Sequence, residues 1–289
     1  MDYLIHILII LSTYLILALS ANLSLGFGGL FNLAFAGLAL GGAYVTALLT
    51  LKAGVPFLFS FLIALAVGYL TGWLIAKATT RLKGDYLALV TFGFNFVVFT
   101  VALNWESLTR GALGLPGIPK PDLIVAKVTE LPHFLVFYGL LAALVYLGLE
   151  LLVRSPLGRA IQALRDDELA LTVLGRDPIK LKNLVLGLSG LLAALAGLMY
   201  AHYLTYLDPY SFGLGDVIFV LSAVFLGGLA SNRGTLLGTV ILVFIPEALR
   251  FLPIPSALIG PLRQIIYSFI IILILWLRPK GIFGKIDFQ

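Results

Sequence analysis

The chain contains no cysteine, and its 289 residues include only two methionines and three histidines. Disulfide bonds, thiol catalysis and cysteine metal sites are therefore excluded. Charged side chains are also scarce, because Asp, Glu, Lys and Arg make up 11% of the chain whereas 61% of it is hydrophobic. Soluble domains carry about 25% charged residues, so this composition predicts a multi-pass membrane protein.

Motifs of several enzyme classes are also missing. The sequence contains neither a GxxxxGK[ST] phosphate loop nor a GxSxG nucleophile turn. His6, His133 and His202 lack the spacing of metal ligands, and we expect them to pack near the ends of spans. No pair of carboxylates lies mid-span, as an ion-driven pump would need. We therefore predict that the chain is not an enzyme and binds no metal and no cofactor.

Long apolar runs predict helices, because backbone inside a bilayer must satisfy its own hydrogen bonds. The predicted spans are residues 3–21, 57–76, 85–103, 133–153, 183–204 and 263–276, with further helices ending near Leu51, Gly228 and Pro246. Asp85 is the predicted N-cap of the third of these spans. The first run lacks a small-residue cleavage site, so we expect it to be a retained span.

The fold class that follows is an all-α, polytopic integral membrane protein with about 8 to 10 transmembrane helices. Residues 1–289 are expected to form a single transmembrane domain. Nine spans place the N-terminus outside, and ten place it inside. The sequence leaves both counts open.

Two glycine-rich passages interrupt the apolar segments, at residues 22–42 and 227–235. Glycine at this density is typical of helices that pack closely, or that break where they line a cavity. Paired breaks in the two halves of a chain are the pattern of internal repeats around a binding path. Close packing alone is the alternative explanation.

Four polar residues in or beside the glycine-rich spans are candidates for a substrate pathway. Their side chains can replace water around a polar solute that crosses the membrane. An amide within a span also serves as hydrogen-bonding glue between helices, and that role stays open for a lone asparagine such as Asn95. The candidates are Asn32, Tyr44, Thr91 and Asn95.

Basic residues indicate orientation, because Lys and Arg are enriched on the cytoplasmic side of membrane proteins. They cluster at the ends of apolar runs, as at residues 77–83 and 154–182, which are therefore predicted to be cytoplasmic. Residues 104–132 contain four prolines and, by alternation, are predicted to form an external loop. Glu247 and Arg250, three residues apart, are expected to pair near the outer end of a helix.

Residues 154–182 form the largest charged segment of the chain, and the helix start and stop signals within it predict short helices. Ser155-Pro156 and Asp177-Pro178 each place an N-cap residue before a proline. Gly175 is suited to end a helix in the left-handed conformation. We call residues 154–182 the elbow and expect it to be ordered, with a solvated loop as the alternative.

One face of the first elbow helix is predicted to rest on the membrane domain. Leu157, Ile161 and Leu164 fall at helical spacing on that face. The other face carries charged residues and is free for a partner.

Five stretches carry a resemblance to a known family. They are GDYLALVTFGF at 84–94, LTRGALGLPGIP at 108–119, RSPLGRAIQALRDDELALTVLGRDPIKLK at 154–182, FLGGLASNRGTLLGT at 225–239 and LWLRPKGIFG at 275–284. In this order they resemble the permease subunits of branched-chain amino acid ABC importers, specifically the LivM-like member of the permease pair. The resemblance covers nearly the whole chain.

The resemblance implies a permease in the cell inner membrane that forms a pore with a second, LivH-like permease. Two cytoplasmic ATP-binding subunits would hydrolyse ATP with Mg²⁺, and an external binding protein would deliver leucine, isoleucine or valine. The resemblance also implies that the elbow couples to the ATPase. The matching positions are Gly158, Arg159, Ala160, Arg165, Asp166, Asp167, Glu168 and Gly175.

The chain departs from the family pattern at two places. Thr109 is followed by Arg110-Gly111 where paired glycines are common, which bears on docking of the binding protein. Residues 231–234 are more polar than usual. Urea, short amides or other amino acids are alternative cargoes. A stand-alone ion-coupled transporter is an alternative class, with Glu247 as its candidate coupling residue.

Overall fold

The computed structural model describes residues 2–82, 84–123, 126–128, 130–249, 256–278 and 280–284. The α-helices are Asp2–Asn22 (α1), Phe35–Leu51 (α2), Phe57–Ala78 (α3), Asp85–Asn104 (α4), Glu106–Thr109 (α5), Leu131–Arg154 (α6), Pro156–Asp166 (α7), Glu168–Val173 (α8), Pro178–Leu204 (α9), Leu214–Gly227 (α10), Asn232–Leu249 (α11) and Ser256–Leu277 (α12). A π-helical turn, Leu23–Phe27, extends α1, and 3₁₀ turns lie at Gly111–Leu113 and Pro209–Phe212.

Strands are confined to the side of the bundle opposite the elbow. Leu115–Pro116 (β1) pairs antiparallel with Tyr206–Leu207 (β4), and Asp122–Leu123 (β2) pairs antiparallel with Ala126–Lys127 (β3). The predicted external loop therefore contains short ordered elements, and β1 ties it to the segment that follows α9.

Within the part of the chain that the structure describes, six helical segments are long and apolar enough to cross a membrane. They are Asp2–Phe27, Phe57–Ala78, Asp85–Asn104, Leu131–Arg154, Pro178–Leu204 and Pro209–Gly227, and the shorter apolar helices are Phe35–Leu51 and Gly260–Ile274. The predicted all-α polytopic fold is confirmed. Among the described residues, nine helices have 14 or more residues. The number of spans and the side of the N-terminus stay predictions.

Helix α9 lies at the centre of the bundle and packs against α1, α2 and α3. Its glycines allow close approach of neighbouring backbones. A Cβ added to Gly190 would clash with the carbonyl oxygen of Gly68, and one added to Gly197 would clash with that of Ala39. Lipid offers no hydrophobic drive for helices to associate, so such close van der Waals contact is a main source of their association.

Helices α10, α11 and α12 pack together, and α1 joins them to α9. A Cβ added to Gly227 would clash with the backbone of Gly234, so α10 and α11 are in backbone contact where the chain turns. The two glycine-rich passages thus have different structures. The first break, residues 23–34, is the π turn followed by a non-helical loop, and the second break, residues 228–231, is a tight turn.

The predicted N-cap role of Asp85 is wrong. Gly84 occupies the N-cap position with a φ of 53°, and Asp85 is the first helical residue, with no side-chain cap. Glycine adopts a positive φ with little steric cost, so the chain turns into α4 at Gly84.

Candidate coupling site

The elbow consists of α7, α8 and the first turns of α9. Ser155 Oγ accepts a hydrogen bond from the Gly158 N–H at 3.1 Å, which caps α7. Asp177 Oδ1 accepts one from the Ile179 N–H at 2.9 Å, which caps α9. Both are N-cap bonds to amides that have no partner within the helix. The structure therefore contains the two capped, proline-opened helices that the sequence predicted.

Helix α8 has its own cap. Asp167 Oδ1 accepts hydrogen bonds from the Leu169 and Ala170 N–H groups at 2.8 and 3.0 Å. Glu168 is the first residue of this helix, where the helix dipole favours a carboxylate. Gly175 follows the helix with a φ of 76°. The glycine stop predicted at Gly175 is present, and it ends a short helix that begins with acidic residues.

The inward face of α7 differs from the prediction at one position. Ile161 and Leu164 are buried, but Leu157 is exposed. Gly158 is buried instead, and a Cβ added there would clash with the Leu152 and Val153 carbonyl oxygens. The close turn between α6 and α7 therefore brings Gly158 into the contact and rotates Leu157 outward.

Arg165 joins the elbow to the first break. Its Nη1 donates a hydrogen bond to the Gly26 carbonyl oxygen at 3.2 Å, and its side chain also pairs with Asp166 at 2.7 Å. Gly29 has a φ of 64°, and its ideal Cβ position lies 2.9 Å from the Arg165 Cα. Arg165 is thus mostly enclosed between α7 and the first break, rather than being a freely exposed charge.

A second contact joins α8 to the central helix. Lys182 Nζ in α9 lies 2.7 Å from Glu168 Oε1, and the Lys182 side chain is only 9% exposed. Removing one partner of a buried ion pair strongly destabilises a protein, because the other charge then remains buried without a partner. This pair therefore ties movement of α8 to α9.

Helix α4 holds the first break through side-chain hydrogen bonds to its backbone. Thr91 Oγ1 accepts from the Leu33 N–H at 3.0 Å. Asn95 Oδ1 accepts from the Gly37 N–H at 2.7 Å, and its Nδ2 donates to the Leu33 carbonyl oxygen at 2.7 Å. These bonds satisfy backbone groups that the loss of helix leaves unpaired.

The two breaks contact each other directly. Asn22 Oδ1, at the end of α1, accepts a hydrogen bond from the Ala230 N–H at 3.1 Å. The Ile282 and Phe283 N–H groups donate to the Leu226 and Gly227 carbonyl oxygens at 3.0 and 2.9 Å. The elbow, both breaks and the turn at residues 280–284 therefore form one connected layer.

The outward surface of the elbow is charged and apolar at once. Leu169, Val173 and Leu174 are 78%, 87% and 76% exposed, beside the exposed Arg159 and Asp166. Large apolar side chains on a charged, solvent-facing segment are typical of a protein interaction site. Sequence reasoning selected the charged residues and missed these three, although their position beside Asp167 and Glu168 was visible in the sequence.

The predicted coupling residues divide by exposure. Arg159, Asp166, Asp167 and Gly175 are exposed, Ala160, Arg165 and Glu168 are half-buried, and Gly158 is buried. The exposed residues are available to a partner. Of the enclosed ones, Arg165 and Glu168 contact the rest of the bundle, and the coupling role that the resemblance implies for all eight stays a prediction.

The predicted pathway residues do not form one cluster of free polar groups. Thr91 and Asn95 hold the first break, and Asn32 Oδ1 accepts from the Ala34 N–H at 3.0 Å within it. Tyr44 is buried in α2, and its hydroxyl has no hydrogen-bond partner among the described residues. The role of glue, left open for Asn95 by the sequence, accounts for the contacts of Asn95, whereas the bond of Asn32 is local to the first break.

The histidines have different surroundings. His6 is exposed and its Nδ1 lies 2.6 Å from the Tyr203 hydroxyl, as expected for a residue near a span end. His202 is fully buried, with Nδ1 2.7 Å from the Pro119 carbonyl oxygen and Nε2 2.9 Å from Thr46 Oγ1. It anchors the loop opposite the elbow to α2, a role that sequence reasoning missed.

The expected pair of Glu247 and Arg250 falls partly outside the described residues, because Arg250 is not among them. Glu247 itself accepts a hydrogen bond from the Tyr3 hydroxyl. This bond joins the end of α11 to the start of α1 on the side opposite the elbow.

A bundle of apolar helices, two packed helix breaks and a capped elbow on one side define a multi-pass membrane protein of the permease type. The chain belongs to the family described as "Branched-chain amino acid transport system / permease component", whose members match it over residues 3–275. The resemblance drawn from the five stretches is thereby confirmed.

Curated relatives agree with this family. The high-affinity branched-chain amino acid transport system permease protein LivM of Escherichia coli is 33% identical in an alignment that covers 93% of this chain and 67% of LivM. The probable LivM of Methanocaldococcus jannaschii is 26% identical over 77% of this chain and 67% of its own length. LivH of Salmonella typhimurium is 26% identical over 95% and 92%. No solved structure gives a significant match.

Proposed function

We propose that this chain is the LivM-like membrane subunit of an ATP-driven importer and carries branched-chain amino acids across the cell inner membrane. Family membership and the names of the relatives support the transport role and the cargo. Its partners are a second, LivH-like permease, two cytoplasmic ATP-binding subunits and an external binding protein. ATP and Mg²⁺ belong to the ATP-binding subunits, and this chain hydrolyses nothing.

The main support for an assembly with ATP-binding subunits is the outward surface of the elbow. Leu169, Val173 and Leu174 are apolar and exposed on the side of the bundle where basic residues cluster. A groove in an ATP-binding subunit would cover them and meet the charges of Arg159 and Asp166 at its rim. Such a division into apolar centre and polar rim is the usual anatomy of a protein interface.

Coupling then follows from the contacts behind that surface. When the ATP-binding subunits close, they displace α7 and α8. Arg165 passes the displacement to the first break through Gly26, and the Glu168–Lys182 pair passes it to α9. Packed helices respond by switching between discrete arrangements rather than by bending smoothly, so the permease alternates between inward and outward openings.

The test is co-purification of the tagged chain with its neighbours from native membranes in mild detergent. The wild-type chain is expected to bring down a second permease and two ATP-binding subunits. The Leu169→Ser, Val173→Ser double variant is expected to retain the second permease and to bring down less of the ATP-binding subunits. Thr172→Ala, on the same short helix, is the matched control and keeps the wild-type amount. Recovery of the ATP-binding subunits at the wild-type ratio by the double variant would contradict the docking surface.

Cargo is tested separately, in proteoliposomes that hold the complete complex. ATP-dependent uptake of leucine, isoleucine or valine is expected. Uptake of urea or another amino acid in their place would keep the architecture and replace the substrate. Transport by the chain alone, without ATP, would reject the importer and favour ion coupling.

A further inference from the structure

A cavity of about 470 Å³ lies on the side of the bundle opposite the elbow. It is bounded by the middle of α1, the first turn of α10, the last turns of α11 and the second turn of α12. This volume falls within the range of about 300–1,000 Å³ that is typical of small-molecule sites. None of the residues predicted from the sequence as pathway residues lines it.

The cavity has an apolar wall. Ile10, Phe219 and Val243 line it, together with the rings of Tyr14 and Tyr267. The rings are held in place, since Tyr14 and Phe219 stack edge to face at 4.8 Å and Phe219 and Tyr267 at 5.3 Å. A branched aliphatic group placed against this wall would lose its contact with water, which is favourable.

The opposite rim carries both signs of charge. Asp216 and Glu247 supply carboxylates, and Arg263 supplies a guanidinium. Asp216 is fixed, because its Oδ1 accepts from the Tyr14 hydroxyl at 2.7 Å and its Oδ2 from the Gly213 N–H at 3.0 Å. Each carboxylate oxygen can accept a second hydrogen bond, so a ligand ammonium can still bind there.

Arg263 is the residue of the rim that most directly indicates a ligand. It is exposed, and it makes no hydrogen bond or ion pair with any residue that the structure describes. It also lies on the side of the membrane where the positive-inside rule disfavours basic residues. Beside it, the Gln264 amide nitrogen lies 3.1 Å from the ideal Cβ position of Gly215, so the amide packs closely against the first turn of α10.

The other cavities lack this combination. The one beneath the elbow, about 170 Å³, contains Glu168 and Lys182, which are already paired with each other. The one between α10 and α12 has mostly apolar walls, including Ile218, Phe269 and Ile272, and opens widely as lipid-facing grooves do. The one between α2, α3 and α4 is only about 100 Å³.

We propose that this cavity is a binding site for a neutral amino acid, with the ligand carboxylate on Arg263, the ammonium between Asp216 and Glu247, and the aliphatic side chain on the apolar wall. The inference rests on the proposed function and deepens it, because it locates where cargo released on the outer side first contacts this chain. A zwitterion is preferred to a molecule with one charge, since each charge has an opposite partner on the rim.

The absence of cysteine allows a direct test. Gln264→Cys introduces the one thiol of this chain, at the rim, and its alkylation in the assembled complex is followed by the mass of the isolated chain. Leucine is expected to slow the reaction. Leucinamide, which lacks the carboxylate, and 4-methylpentanoate, which lacks the ammonium, are expected to protect about tenfold less well at equal concentration.

Two controls separate ligand binding from other causes. Leu113→Cys lies exposed on the same side but outside the cavity, and leucine should leave its reaction rate unchanged. In the Gln264→Cys background, Arg263→Gln should remove the advantage of leucine over leucinamide, whereas Arg263→Lys should retain it.

Failure of this inference is distinguishable from failure of the proposed function, because leucine uptake by the wild-type complex is measured in parallel. Unchanged labelling of Gln264→Cys up to the solubility limit of leucine, with uptake intact, would overturn the cavity assignment alone. Equal protection by all three compounds would also overturn it. Protection by leucine without any leucine uptake would support the site and overturn the importer.

Discussion

Arg110 occupies a backbone conformation that favours glycine, with a φ of 61° at the C-cap of α5. This is the position at which the chain departs from the paired glycines expected of its family. A side chain in the left-handed region costs about 1–2 kcal/mol relative to the right-handed one, whereas glycine avoids most of that cost. Arg110→Gly should therefore stabilise the fold by roughly 1 kcal/mol relative to Arg110→Ala. The midpoints of thermal unfolding in detergent measure the difference, and equal midpoints for the two variants would contradict the strain.

Asn95 and Tyr44 were both candidates for the pathway, but their contacts predict different outcomes. Asn95→Leu removes one hydrogen bond to the first break, at Leu33, and one to the start of α2, at Gly37, and should cost about 1–3 kcal/mol for each backbone group left unpaired. Tyr44→Phe removes a hydroxyl that has no partner among the described residues, so stability should be unchanged or higher. Thermal unfolding of both variants checks this. A loss of uptake in Tyr44→Phe with stability intact would keep Tyr44 in the pathway, and a stable Asn95→Leu would reject its role as glue.

At the scale of the element, the first break is held from three directions, by α4, by α7 and by the second break. Arg165 is the contact from α7, so it should affect coupling more than assembly. In Arg165→Met the bond to Gly26 is lost while the length of the side chain is roughly kept. Amino acids moved per ATP hydrolysed should fall about fivefold or more, the lower end of typical coupling energies.

Arg159→Met is the matched control for Arg165. Arg159 is exposed and, among the described residues, its side chain donates to the Arg154 carbonyl oxygen at 3.3 Å and makes no hydrogen bond to the first break. Its ratio of transport to hydrolysis should stay at the wild-type value. If both variants changed that ratio equally, the elbow would act only as a docking surface and the contact between Arg165 and Gly26 would have no part in transmission.

Local features of these elements could be predicted from the sequence, whereas their distant contacts could not. The cap side chains of Ser155 and Asp177 accept hydrogen bonds from amides two or three residues away. Both partners of each bond therefore lie within one short stretch of sequence, where a local pattern can predict them. Arg165 and Gly26 are 139 residues apart, and no pattern in the sequence pairs them. Leu157 fitted the apolar spacing of α7, but the close turn that buries Gly158 depends on where α6 ends.

The same limit applied to the candidate sites. The charged residues of the elbow were identified by resemblance, but their division into exposed and enclosed groups required the packed structure. The rim of the outer cavity draws Asp216, Glu247 and Arg263 from three separate helices. Sequence reasoning paired Glu247 with Arg250, three residues away, and could not foresee its contact with Tyr3 at the other end of the chain.

The molecule as a whole depends on how closely α9 approaches its neighbours, because α9 connects the elbow, the first break and the side opposite. Gly190→Ala should disrupt this arrangement, since its new Cβ would clash with the Gly68 carbonyl oxygen and neither backbone can move without separating α3 from α9. Gly148→Ala in α6 is the matched control, because nothing lies within 4 Å of its ideal Cβ position.

Alanine favours a helix over glycine by about 1 kcal/mol, so helix propensity alone would make both variants more stable. Of the two positions, only Gly190 has a clash that outweighs this gain and makes the alanine variant less stable than the wild type. We therefore expect Gly148→Ala to yield at least as much monodisperse protein in size-exclusion chromatography as the wild type, and Gly190→Ala to yield little. A well-folded Gly190→Ala would mean that α3 and α9 tolerate separation. The bundle would then be held by its hydrogen-bonded breaks rather than by its central helix crossing.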